Sequence, residues 1–233
     1  MPRRRRSTPA GFVYHVLNRA AGRLVLFESS SDYRAFKRLL AEASQRMSMR
    51  IIAYCLMRNH WHLLLWPQED HAVSSFMHWV TTTHARRWAL AHDAVGRGAV
   101  YQSRFKAIPV QSGEHLLTVW RYIERNPLRA NLVKRAEDWE WSSLSPRRET
   151  CSPTLSAPPL SRPPNWFELV NTPQTQGELE AIRRTLETAM PYGDAEWGRT
   201  TSVLVGWRPR GRPKRGRTPF SDEPAEKGVR PLF

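Results

Sequence analysis

Residues 51–66 constrain the fold most. Two apolar runs, Ile51-Ile52-Ala53-Tyr54-Cys55-Leu56-Met57 and His60-Trp61-His62-Leu63-Leu64-Leu65-Trp66, are separated only by Arg58 and Asn59. Runs of this length read as buried strands, and a two-residue gap leaves room only for an antiparallel hairpin, although Arg-Asn is not the favoured Asn-Gly pair. Pro67 ends the second run. Along a strand, residues i and i+2 share a face. His60 and His62 are therefore expected side by side, with Trp61 turned into the core. Two neutral imidazoles on a rigid strand make half of a site for a divalent cation. The plainer alternative, two hydrogen-bonded histidines at a strand edge, fits the spacing equally well.

The flanking segments supply the rest of a fold. A strand is expected over 12–17 and a loop over 18–22. A helix capped by Asp32 carries Tyr33, Phe36, Leu39, Leu40 and Ala43 at helical spacing. A second helix over 73–91 aligns Phe76, Met77, Val80, His84 and Trp88. A fourth strand over 105–110 contains Pro109, which suits an edge position or a strand end. Ser112 is the expected cap of a third helix through Leu116, Leu117, Trp120 and Ile123, ended near Asn126 by Pro127. The order strand, helix, strand, strand, helix, strand, helix gives an α+β class: a ferredoxin-like antiparallel sheet with helices on one face. Residues 1–10 read as a basic flexible arm, 11–145 as the main domain and 146–165 as a Pro/Ser-rich linker. A helical extension follows over 166–206, opened by a capping box at Thr175 and Glu178, and then a basic tail over 207–233.

Charge points to the partner. The formal net charge is +15 over 233 residues. Arg3, Arg4, Arg5 and Arg6 supply four positive charges, and Arg208, Arg210, Arg212, Lys214, Arg215 and Arg217 supply six, so the remainder carries 15 − 10 = +5. Basic arms of this kind suit a polyanion such as DNA, and equally a solubilising tail. Two cysteines, Cys55 and Cys151, exclude a disulfide framework and a Cys-rich zinc site. No apolar stretch approaches the ~20 residues that span a bilayer, and no apolar segment follows the N-terminal arginines. No membrane association and a cytoplasmic, nucleoid-associated setting are expected.

A second chemical element lies at Tyr122-Ile123-Glu124-Arg125-Asn126. Tyr122 and Asn126, four apart, share one helical face. That brings a phenol and an amide oxygen to one point, although a half-buried aromatic and a helix-end residue explain each one singly. A tyrosine nucleophile with a cation held by His60, His62 and Asn126 is phosphodiester chemistry. Hard cations such as Mg²⁺ take their remaining ligands from phosphate oxygens. Glu124, Lys106 and water all remain open as the general base. The other histidines, His15, His71, His78, His84, His92 and His115, have no comparable pairing. His15 is the best outsider, because the first strand lies beside the His-bearing strand in such folds.

His60-Trp61-His62 resembles the HUH motif. Together with Arg121-Tyr122-Ile123-Glu124-Arg125-Asn126-Pro127-Leu128-Arg129-Ala130-Asn131-Leu132-Val133, it makes the chain similar to the single-tyrosine HUH transposases, and more closely to the REP-associated tyrosine transposases. Tyr14-His15-Val16, Met57-Arg58-Asn59 and Gln102-Ser103-Arg104-Phe105-Lys106 extend the likeness over most of 11–145. The resemblance implies a ferredoxin-like endonuclease and strand-transferase acting on single-stranded DNA and on hairpins of palindromic repeats. It implies Mg²⁺ or Mn²⁺ on His60, His62 and Asn126, where some relatives use Gln for the third ligand. It implies attack by Tyr122 that leaves a 5′-phosphotyrosine and a free 3′-hydroxyl, with no nucleotide cofactor. Arg3, Arg4, Arg5, Arg6, Arg104, Lys106, Arg208, Arg210, Arg212, Lys214 and Arg215 are the expected DNA contacts. The segment around Arg210-Gly211-Arg212-Pro213 is similar to an AT-hook, an extended piece that enters a narrow minor groove. A monomer and a homodimer are both compatible with this reading. The rivals are a rolling-circle initiator or relaxase, a non-catalytic DNA-binding protein on the same fold, and a small-molecule metallohydrolase.

Overall fold

The computed structural model describes residues 7–22, 24–147 and 149–207. Arg3, Arg4, Arg5, Arg6, Arg208, Arg210, Arg212, Lys214 and Arg215 lie outside the described residues. Four strands, β1 (Val13–Arg19), β2 (Met49–Met57), β3 (His60–Pro67) and β4 (Lys106–Val110), form one antiparallel sheet in the order β2-β3-β1-β4. This is the split βαβ arrangement expected from the order of elements. The hairpin turn is Arg58-Asn59, with Met57 paired to His60. Neither turn residue has a positive φ, and neighbouring loops hold the turn instead. Leu26 and Phe27 donate backbone N–H bonds to the Arg58 carbonyl, and Ala20 donates to that of Asn59. A bulge between Ile51 and Ala53 shifts the register of β2.

The period-2 alternation of the strands divides the molecule into two cores. On one face Tyr14, Val16, Tyr54, Leu56, Trp61, Leu63 and Leu65 pack against α1 (Ser30–Arg46) and α2 (Ala72–Ala91), which contribute Phe36, Leu40, Phe76 and Val80. These are the two crossover helices, and they share a face. On the other face Val13, Leu17, Cys55, Met57, Leu64 and Ile108 pack against α3 (Glu114–Glu124). The third helix thus covers the side that the crossover helices leave bare.

The helix ends differ from the sequence expectation in two places. The N-cap of α1 is Ser29, not Asp32. Ser29 has the extended backbone a cap requires, and Asp32 closes the capping box from the third helical position. The N-cap of α3 is Gly113, not Ser112. The backbone there turns to φ 81, which glycine tolerates, and no side chain caps the helix. The helix ends at Glu124, and a short α4 (Asn126–Arg129) follows with Pro127 in its first turn. The proline has no N–H to continue the ladder, so the break falls at Arg125.

The C-terminal third wraps the sheet. It contains a 3-10 turn (Ala136–Asp138), α5 (Trp166–Asn171), α6 (Gln176–Thr188) and α7 (Ala195–Leu204). The capping box of Thr175 and Glu178 forms at the start of α6, as expected, and Ile182 and Leu186 of α6 are buried. Both sheet edges are covered. Along β2, Leu56 donates to the Trp141 carbonyl, and Ser143 and Ser156 donate to those of Tyr54 and Ile51. Along β4, Tyr192 donates to the Pro109 carbonyl and accepts from Gln111. Pro109 therefore sits on an edge strand, the one place where its missing N–H costs little. Lys37, buried on α1, finds its counter-charge 3.0 Å away in Glu149. No helix among the described residues is long and apolar enough to cross a membrane.

Candidate active site

His60 and His62 face α3 together, as their i, i+2 spacing requires. Their ring centroids are 5.2 Å apart. Tyr122, on α3, brings its ring to 6.0 Å from His62 and 6.1 Å from His15. His15 is the outsider that joins: its Nε2 lies 2.9 Å from Nδ1 of His62. The contact follows from sheet topology, since β1 and β3 are neighbours and Leu17 pairs with His62. His60 is fixed in the same manner, with Nδ1 2.7 Å from the Asn59 Oδ1 of the hairpin turn. An amide oxygen only accepts, so this bond places the proton of His60 on Nδ1 and the lone pair on Nε2. When His62 donates from Nδ1 to His15, its Nε2 likewise holds the lone pair. Partners on Nδ1 that set the ligating nitrogen are the rule at metal-bound histidines.

Asn126 opens α4, one helical turn beyond Tyr122, and α4 packs against β2. It is fully buried, and among the described residues neither Oδ1 nor Nδ2 has a hydrogen-bond partner. Leaving a polar group so costs ~1–3 kcal/mol and calls for an explanation. An amide oxygen reserved for a cation supplies one. Among the described residues no three His, Cys, Asp or Glu side chains gather as a metal cluster. Two imidazoles and one amide oxygen are a sparse donor set. It fits a hard cation that draws its remaining oxygens from a phosphate or water.

The surroundings hold α3 in place. The Arg129 guanidinium lies 4.1 Å from the Tyr122 ring centroid and sets a positive charge beside the phenol. Glu124 is fully buried and accepts from Ser143 Oγ at 2.8 Å and Trp166 Nε1 at 2.7 Å, with Arg162 at 3.4 Å. Its carboxylate thus locks α3 to the C-terminal wrap, which does not suit a general base. Lys106, the other side chain considered for that role and for DNA contact, donates Nζ to the Leu186 carbonyl of α6. Arg104 is exposed, just ahead of β4. Arg121 and Arg125 donate to the carbonyls of Thr172, Pro173, Val170 and Asn171. A helix C-terminus welcomes cations in this way.

The buried tryptophans Trp61, Trp120, Trp139 and Trp141, with Tyr101 and His84, have structural partners. Trp120 packs on Trp166, Trp139 donates to the Leu56 carbonyl, and Trp141 stacks on Tyr33. Trp61 Nε1 donates to the Tyr101 hydroxyl, which lies 2.7 Å from His84 Nδ1. Burial pushes the His84 pKa down to about 3 and raises that of Tyr101. His84 is therefore a neutral acceptor.

His15, His60, His62, Tyr122 and Asn126 each expose 3% of their surface or less. A phosphate reaches Tyr122 only if α3 or the rim of the site shifts. The sequence reading gives Asn59 and Arg129 no role at the site. The two-residue turn was the one available hint for Asn59, and the i, i+7 helical spacing from Tyr122 was the hint for Arg129.

The family model described as "Transposase IS200 like" matches residues 10–126, just over half of the chain. The chain belongs to the IS200-like transposase family. Among solved structures, a REP-associated tyrosine transposase bound to a REP hairpin is similar, at TM-score 0.51 and 17% identity, covering 67% of this chain and 100% of that one. At that identity the likeness speaks for the fold, and it matches the four-stranded α+β architecture described above. A protein from Deinococcus radiodurans R1 described as a transposase gives TM-score 0.36 and 21% identity, covering 53% of this chain and 96% of that one. No curated protein matches the sequence.

Proposed function

We propose that this transposase is a metal-dependent endonuclease and strand-transferase for single-stranded DNA, acting at hairpins of palindromic repeats through a 5′-phosphotyrosine. The observation that carries the reading is the convergence of Tyr122, His60 and His62 on one buried face, with His15 and Asn59 holding the two imidazoles. In this account Tyr122 Oη attacks the scissile phosphorus and the bond to the 3′ oxygen breaks. The phenolic proton leaves, the 3′ oxygen gains one, and the 5′ phosphate stays on the tyrosine. A 3′-hydroxyl attacking the phosphotyrosine reverses the step and joins strands, so phosphodiester energy is conserved. His60, His62 and Asn126 would hold Mg²⁺ or Mn²⁺. The cation would offset phosphate charge and polarise the phosphoryl oxygen. Arg129 adds positive charge beside the nucleophile. The hairpin partner is supported by the bound REP hairpin of the similar structure. Arg104 and the basic termini are the proposed DNA contacts, and the cytoplasm is the proposed setting.

A covalent-trapping assay tests the reading. Labelled hairpin oligonucleotides with single-stranded flanks are incubated with the full-length protein in Mg²⁺, in Mn²⁺ and in EDTA. A denaturation-resistant adduct that needs the metal and disappears in Tyr122→Phe, with DNA binding retained, is the expected result. One observation favours a second reading, a DNA-binding protein that keeps the outline of the site: Tyr122 and His62 have no exposed surface. Tight hairpin binding with no adduct in either metal would select it.

A further inference from the structure

At the candidate active site the four strands line up one residue each. Cys55 of β2 pairs with His62 of β3, His62 with Leu17 of β1, and Leu17 with Lys106 of β4. Directly paired residues share a face of the sheet. Cys55, Leu17 and Ile108, which is two residues beyond Lys106, all belong to the core beneath α3. Lys106 is therefore on the side of the sheet that carries His15, His62 and Tyr122. Its Cα stands two strand spacings from that of His62, about 10 Å. A flexible four-carbon stem can carry an ammonium over much of that distance. Lys106 is half-buried although it heads an edge strand, and its Nζ donates to the Leu186 carbonyl of α6. The chain thus keeps this ammonium inside the fold at the end of the sheet where the histidines lie.

The proposed reaction needs a proton at one atom. When Tyr122 Oη attacks, the electron pair of the breaking bond goes to the 3′ oxygen. That oxygen leaves as a strongly basic alkoxide unless a positioned acid protonates it. The side chains already at the site are committed. His60 bonds Asn59 and His62 bonds His15, which turns their lone pairs toward a cation. Glu124 accepts from Ser143 and Trp166. Arg129 lies over the Tyr122 ring, but a guanidinium stays protonated in proteins and gives up no proton. An ammonium offers positive charge together with a transferable proton. Among the described residues the other lysines are Lys37, buried on α1 against Glu149, and Lys134, which follows α4.

We infer that Lys106 is the general acid of strand cleavage. As the bond from phosphorus to the 3′ oxygen breaks, a proton passes from Nζ to that oxygen, leaving a 3′-hydroxyl and a neutral amine. In strand joining the amine takes a proton from the attacking 3′-hydroxyl. The phenolic proton of Tyr122 goes to water. The inference rests on the proposed function and assigns the proton which that reading leaves without a donor. The test uses the full-length protein in Mn²⁺ and flanked hairpin oligonucleotides of two kinds. One has the natural linkage, and the other has sulfur in place of the 3′ oxygen at the mapped cleavage position. A thiolate is a weak base and leaves without a proton. Under single-turnover conditions Lys106→Ala is expected to form adduct at least about 100-fold more slowly than wild type on the oxygen linkage, and to match wild type on the sulfur linkage. Lys106→Arg, which keeps the charge and withholds the proton, is expected to behave as Lys106→Ala does. The ratio of the two rates does not depend on how much of a variant is folded. Equal slowing on both linkages, an oxygen rate restored by arginine, or no slowing at all overturns the inference. Failure of the proposed chemistry reads differently: wild type would then form no adduct on either linkage, and the inference would fall with it.

Discussion

The two faces of the sheet are built from the same four strands and obey different rules. The face beneath α1 and α2 is hydrocarbon and aromatic. Its buried polar groups are few and paired: Trp61 to Tyr101 to His84, Trp88 to the Leu26 carbonyl, and Lys37 to Glu149. The face beneath α3 buries His15, His60, His62, Tyr122, Asn126 and Glu124. Such a concentration of polar groups is costly to keep dry. Adjacent residues of β3 belong to opposite regimes: Trp61 fills the first core while His60 and His62 line the second face. The difference teaches that one strand's alternation can divide stability from chemistry, so that a substitution on one parity acts on folding and on the other parity acts on the reaction.

The division can be broken most forcefully at Trp61. Trp61→Ala removes a fully buried indole that packs on Phe36 and anchors Tyr101. A loss of about 3–5 kcal/mol is expected in urea unfolding, with DNA binding lost in parallel because the whole sheet loosens. His15→Ala should do the reverse. It removes the partner of His62 Nδ1, so Mn²⁺ affinity read by electron paramagnetic resonance is expected to fall about 10–100-fold, with a smaller change in the unfolding midpoint. Unchanged Mn²⁺ affinity would show that His15 is mere packing.

The smallest effect sharpens the comparison through pH. His84 titrates near 3 in the folded protein and near 6.5 when unfolded. Its folded pKa is depressed, so its contribution to stability is complete above 6.5 and is lost as pH falls toward 3. Between pH 7 and pH 5 that amounts to about 2 kcal/mol. His84→Gln should lower stability at pH 7 yet flatten the decline between pH 7 and 5 by this amount. An equal slope in both proteins would mean that the buried imidazole does not govern the acid limb.

Local and short-range patterns made much of this legible. The hairpin and the shared face of His60 and His62 follow from a period of 2 that no tertiary contact overrides, whereas the helix that carries Tyr122 breaks at Arg125 before Asn126 opens α4. Helix caps were less legible. Ser29 and Asp32 both suit an N-cap, and only the backbone shows that Ser29 takes the role while Asp32 answers from inside the helix. The bond from His15 to His62 joins residues 47 apart, and the lock of Glu124 on Trp166 joins residues 42 apart. Neither leaves a trace in local spacing, because strand adjacency and the path of the C-terminal wrap are decided by the whole fold. Of the wrap, 146–165 read as a Pro/Ser-rich linker and 166–206 as a helical extension; the cover of the β2 edge is made by main-chain groups of Trp141, Ser143 and Ser156, which leave no amphipathic pattern.

The most direct test is to find the atom that DNA is joined to. The full-length protein is reacted with a flanked hairpin in Mg²⁺ or Mn²⁺, the adduct is digested with nuclease and trypsin, and the residual phosphonucleotide is located by mass spectrometry. The account predicts a modified peptide 122–125, with the added mass on Tyr122. The mass on Tyr14, Tyr33, Tyr54, Tyr101 or Tyr192, or cleavage of the DNA with no protein-linked phosphate, would contradict it.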